Sequence, residues 1–110
     1  MPFHALERSF EVIECLREVV GRVRRRDPKL CDQIRSAASS VSLNLAEGRR
    51  RFGKDRVHFF RIAAGSADEV RASLRVACAW GYVDRGEIAG AQAKLDEVLA
   101  MLWRLTNRGS

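Results

Sequence analysis

The sequence predicts an all-α protein: an antiparallel up-down-up-down four-helix bundle, one domain over residues 1–110. Three observations carry this. No stretch alternates apolar and polar residues between turn signals, so nothing reads as a strand. Four stretches instead repeat apolar residues every three or four positions. The breaks between them are short, and helices of about 20 residues joined by short links pack as antiparallel neighbours.

The first helix is expected over about residues 5–25. Leu6, Phe10, Ile13 and Val20 form one apolar stripe, and Val12, Leu16, Val19 and Val23 form a second, partly opposed one. Together they make an apolar arc unusually wide for a surface helix. Asp27-Pro28 then reads as a helix start, with Asp27 as cap and Pro28 at the first helical position, where its missing N–H costs nothing. The second helix runs to about residue 47 on a core stripe of Leu30, Ile34, Ala38, Val41 and Leu45. Beside it lies a line of small and polar residues: Gln33, Ala37, Ser40 and Asn44. Gly48 is placed as a left-handed C-cap, followed by the link "RRRFG". The third helix, about residues 54–81, carries Val57, Phe60, Ala63, Ala67, Val70, Leu74 and Cys78 toward the core. Ile62, Val76 and Trp80 face the opposite way. The capping-box pattern Asp84-Arg85-Gly86-Glu87 opens the fourth helix, which runs to about residue 105 on Ile88, Ala91, Leu95, Val98, Leu102 and Leu105.

Helices one and three carry more apolar surface than one bundle can bury. The surplus predicts that copies of the chain pack on one another, with Val12, Val19, Val23, Ile62, Val76 and Trp80 as interface residues. No apolar run approaches the ~20 residues of a membrane span, and no secretory signal opens the chain. The three cysteines are an odd number with no CxxC spacing. They are read as small buried hydrophobes in a reducing, cytoplasmic protein without metal or cofactor.

The stretch 33–69, "QIRSAASSVSLNLAEGRRRFGKDRVHFFRIAAGSADE", resembles the signature of the bacterial four-helix bundle proteins encoded in 23S rRNA intervening sequences, the S23 proteins. "SVSLNLAEG" and "FRIAAGSADE" carry the likeness. The link departs from it, with Arg49-Arg50-Arg51-Phe52 where serine and lysine are common. The resemblance implies a homopentamer of four-helix bundles around a central channel. It also implies similarity in fold to the accessory variability determinant proteins of diversity-generating retroelements, which associate with a reverse transcriptase and nucleic acid.

The signature contains Asn44, Glu47, Gly48, Gly65 and Ser66. A catalytic reading would make Glu47 a general base, but Ser39, Ser40 and Ser42 have no histidine nearby in sequence. His4 and His58 stand far apart, so no catalytic residue is assigned. A structural reading fits better. Small Gly65 and Ser66 let helix three approach helix two, Asn44 bonds across that contact, and Glu47 pairs with Arg61 or an arginine of the 49–51 run. Glu47 needs such a partner because an anion near a helix C-terminus is unfavourable.

The chain carries a net charge of +6. Arg49, Arg50, Arg51, Lys54 and Arg56, offset by Asp55, form one run of net +4, and Arg22, Arg24, Arg25 and Arg26 form a second of +4. A helix C-terminus explains one or two such cations. Repeated in a pentamer, each run would become a ring of about twenty positive charges, which suits a phosphate backbone. Phe52, Phe59 and Phe60 are assigned to the core, so no aromatic ladder is expected. The sequence thus predicts a non-enzymatic oligomeric basic scaffold. Its candidate partners are RNA or DNA, held without sequence readout, and, by what the resemblance implies, a reverse transcriptase or other protein. The alternative is a protein-interaction bundle that meets an acidic partner and binds no nucleic acid.

Overall fold

The computed structural model describes residues 3–107. Four helices follow in order: α1 (His4–Arg26), α2 (Pro28–Arg49), α3 (Gly53–Ala79) and α4 (Arg85–Thr106). They pack as a ring in which each touches its two sequence neighbours and α1 closes against α4. No strand occurs among the described residues, and no helix among them is long and apolar enough to cross a membrane. At about 1.5 Å per residue, the 27 residues of α3 account for the long axis of a body measuring 43 × 24 × 22 Å.

The links explain the topology. Asp27 alone joins α1 to α2. Its N–H donates to the Val23 carbonyl at 2.7 Å, which closes α1, and its Oδ1 accepts from the Leu30 N–H at 3.0 Å, which opens α2. The Tyr82 hydroxyl donates to Asp27 Oδ2 at 3.2 Å, tying this corner to the α3–α4 link at the same end of the bundle. Burial and that bond to Asp27 raise the Tyr82 hydroxyl above its ordinary pKa. At the start of α4, Glu87 Oε1 accepts from the Asp84 N–H at 3.1 Å. The backbone turns with positive φ at Gly53 (57°) and Gly81 (80°), a region other residues rarely enter.

The core runs the length of the bundle. Ile34, Leu45, Leu74, Leu95 and Leu102 are fully buried, with Val23, Val70 and Val98 between them. The expected stripe of α2 is buried throughout, and so is that of α4 as far as Leu102. Leu105, Val57 and Cys78, expected in the core, are half-buried at its margin. One buried polar pair spans α1 and α2. The Ser9 hydroxyl donates to the Leu6 carbonyl at 2.6 Å, so its single proton is spent and Ser42 donates the 2.8 Å bond between the two hydroxyls.

Two expectations are corrected here. On α1 the stripe of Val12, Leu16, Val19 and Val23 is buried inside the bundle, while of the other stripe only Leu6 is buried, Phe10 is exposed and Ile13 and Val20 are half-buried. Val12, Val19 and Val23 are therefore core residues and are not available as an interface. The buried set continues through Ala5 and Ser9, two small residues that let α1 lie close to its neighbours. Of the cysteines, only Cys31 is buried; Cys78 is half-buried and Cys15 is exposed. Between α1 and α4, Glu11 accepts from both Lys94 and Arg8 at 2.8 Å. These bonds, Lys94 first, hold its carboxyl below the ordinary range.

Candidate nucleic-acid interface

The C-terminal half of α2 brings the signature residues together. The Asn44 side chain donates to the Ser40 carbonyl at 2.9 Å and to the Ser40 hydroxyl at 3.0 Å, one turn back on its own helix. The bond across to α3 is made by Ser40 itself, whose hydroxyl lies 2.8 Å from that of Ser66. Asn44 therefore positions Ser40 and does not reach across.

The close approach of α2 to α3 is made by Gly48, not Gly65. Gly65 is exposed, with nothing within 4 Å of where a Cβ would stand. A Cβ on Gly48 would lie 2.6 Å from Cε1 of Phe60, whose buried ring packs on Phe3 with centroids 5.6 Å apart. Gly48 is also not a left-handed cap. α2 continues through it to Arg49, and the capping residue Arg50 keeps right-handed geometry.

Glu47 has its partner in Arg51, whose Nε donates to Glu47 Oε2 at 2.7 Å. Arg61 is not involved. The Arg51 bond holds the Glu47 carboxyl below its ordinary range, against the upward push of desolvation. A carboxyl depressed in the folded state stabilises it above the unfolded-state pKa, and that contribution is lost as pH falls through the folded-state value. Glu47→Gln is thus expected to lower stability at neutral pH and to converge with the native chain on acidification. Urea unfolding at neutral and acid pH checks this, and parallel curves would show that the pair contributes nothing.

The cations divide into two groups. Arg56, in the first turn of α3, closes α2: its Nε donates to the Gly48 carbonyl at 3.3 Å and its Nη2 to the Arg49 carbonyl at 3.0 Å. Arg51 is held by Glu47 and lies 5.0 Å from the Phe59 ring centroid. At the opposite end of the bundle, Arg22 pairs with Glu87, and Arg26 lies 5.5 Å from the Tyr82 ring centroid. Arg49 and Lys54 at one end, and Arg24 and Arg25 at the other, have no side-chain partner among the described residues, and Arg50 makes no hydrogen bond but adds its charge to that of Arg51 on Glu47. Because α1 and α2 are antiparallel, the two free groups sit at opposite poles.

Next to the first group the aromatic residues depart from expectation. Phe60 is buried and Phe59 half-buried, but Phe52 is 83% exposed. The Arg56 guanidinium stands 5.8 Å from its ring centroid. Phe52 lies outside every helical stripe, between a run of arginines and a glycine. That position marked it as a surface residue. Beside it, Gly53, Lys54, Val57, His58, Arg61 and Thr106 line an open groove of about 650 Å³. On the outer face of α3, Ile62, Val76 and Trp80 are 38%, 42% and 68% exposed and follow one helical line.

A family model described as 23S rRNA-intervening sequence protein matches residues 4–104. No curated protein matches the chain. Among solved structures it is similar to a protein of unknown function from the S23 ribosomal protein family of Bacteroides thetaiotaomicron. The two are 16% identical with a TM-score of 0.83, over 94% of this chain and 98% of that one. At that identity the likeness speaks for the fold alone.

Proposed function

The chain belongs to the 23S rRNA-intervening sequence protein family, and from that premise we propose that it is a non-enzymatic oligomeric scaffold whose basic poles hold RNA. The reading rests above all on one observation: Arg56 and Arg51 already close α2 and neutralise Glu47, yet beside them Arg49 and Lys54 have no partner among the described residues and Arg50 is a further cation on a carboxylate already paired. Helix closure does not account for these three. Cations clustered at one pole in excess of its carboxylates, Glu47 and Asp55, suit a phosphate backbone bound by charge and shape. Copies associate in this reading through Ile62, Val76 and Trp80 of α3, which multiplies the cationic poles. The scaffold works in the cytoplasm, and a reverse transcriptase or ribonucleoprotein is the class of protein partner it would serve. The exposed line on α3 equally suits the second reading, a bundle that docks an acidic protein and binds no RNA.

A salt titration separates the two. Binding to a non-specific RNA strand should weaken linearly in log K against log salt, with a slope near −0.7 for each phosphate neutralised. The triple variant Arg49→Ala, Arg50→Ala, Lys54→Ala should flatten that slope. Absence of binding by the native chain at low salt would leave the protein-docking reading. A light-scattering mass of one chain would remove the scaffold.

A further inference from the structure

Building on the reading of this pole as an RNA site, we propose that Phe52 is a stacking platform for one unpaired base, so that the site takes single-stranded in preference to duplex RNA.

Phe52 is the most exposed large apolar residue among those described. A lone exposed phenylalanine is ordinary on a protein surface. This one has cations on both sides within three residues, Arg49 and Arg50 before it and Lys54 after it. Its setting also holds it in place. The Arg56 guanidinium that stands over the ring is fixed by two hydrogen bonds to the last carbonyls of α2. The backbone of Phe52 is extended, with φ −129° and ψ 155°, and leads directly into α3. The ring is thus backed by a fixed cation on one side, and its 83% exposure leaves a face open to solvent.

An aromatic face beside a track of cations is the arrangement that holds single strands: the charge follows the backbone, and the ring stacks on a base. The groove beginning at Gly53 continues the track, because Lys54 and Arg61 line it without a partner among the described residues. Bases inside a duplex already stack on their neighbours and cannot offer a face to Phe52 without being unpaired. Stacking accepts any base, so the site favours unpaired strands without reading their order.

Fluorescence anisotropy at fixed low salt tests this with a labelled uridine strand and an RNA duplex of equal length. The native chain should prefer the strand. Phe52→Leu, which keeps an apolar side chain but removes the ring, should weaken strand binding about tenfold. Its duplex affinity and salt slope should not change, and Phe52→Trp should restore strand binding. Equal strand affinity for the native and leucine chains would overturn the stacking role and leave the RNA scaffold standing. Failure of the native chain to bind either RNA would remove the scaffold reading and this inference together. A fall in light-scattering mass for Phe52→Leu would reassign the ring to a contact between copies.

Discussion

Gly48→Ala is expected to destabilise the bundle by about 1–2 kcal/mol, although the same change in an exposed helix interior stabilises by about 1 kcal/mol. The sign reverses because of where the new methyl group would stand. It would lie 2.6 and 2.7 Å from the Cε1 and Cδ1 atoms of Phe60 and 3.2 Å from Cβ of Phe59. The Phe60 ring cannot swing away, because it is 3% exposed and backed by Phe3. Either the ring leaves its rotamer or α2 and α3 move apart, and the Ser40–Ser66 bond between them stretches. Urea unfolding reads the loss. Adding Phe60→Leu to the alanine chain should recover part of it, a non-additivity expected only where two residues share one contact. Stability equal to the native chain would show that the α2–α3 contact is slack at Gly48.

Val23→Asp should have the larger effect. Val23 is wholly buried where α1 meets the rest of the core. An aspartate there would have no cation within the core, and an unpaired buried charge costs on the order of 3–5 kcal/mol. Against a total stability of about 5–15 kcal/mol for a typical domain, the chain should be largely unfolded by circular dichroism at modest urea. Trp80→Gln is the control, a neutral polar change because an acid at this capping position of α3 would also oppose the helix dipole. Trp80 is 68% exposed, so its replacement should change folding stability by no more than about 0.5 kcal/mol in the dissociated chain. It should instead lower the light-scattering mass if copies pack through the outer face of α3. A folded Val23→Asp chain with reduced mass would reverse the assignment of the two α1 faces.

α1 is also where reading the sequence alone fell short. Both of its stripes repeat at helical spacing, and periodicity cannot say which of two apolar faces looks inward. The choice is made by α2 and α4, which receive the line of Ala5, Ser9, Val12, Leu16, Val19 and Val23. Where a helix has one apolar face, as α2 and α4 do, the stripe was legible, with only Leu105 at the end of α4 falling to the margin of the core. The corners were legible as well, because Asp27-Pro28 and Asp84–Glu87 act through neighbours in the chain. Gly48 was misread for the opposite reason. Its role is set by Phe60, twelve residues away, while its local setting before three arginines resembles a helix end. The need of Glu47 for a cation followed from the helix dipole; that Arg51 supplies it depended on the path of the link. Phe52 was assigned to the core by residue type, although its place in the link, outside every helical stripe, already pointed outward.

The one-residue corner at Asp27 restrains how copies of this chain can mingle. Were that residue helical, α1 and α2 would fuse into a rod of roughly 70 Å, and a neighbour could accept α1 in exchange for its own. Pro28 opposes this, because its ring crowds the preceding residue out of helical geometry, and Asp27 sits at φ −154° and ψ 82°. Even where copies of the chain crowd together, that corner keeps the first helix folded against its own second.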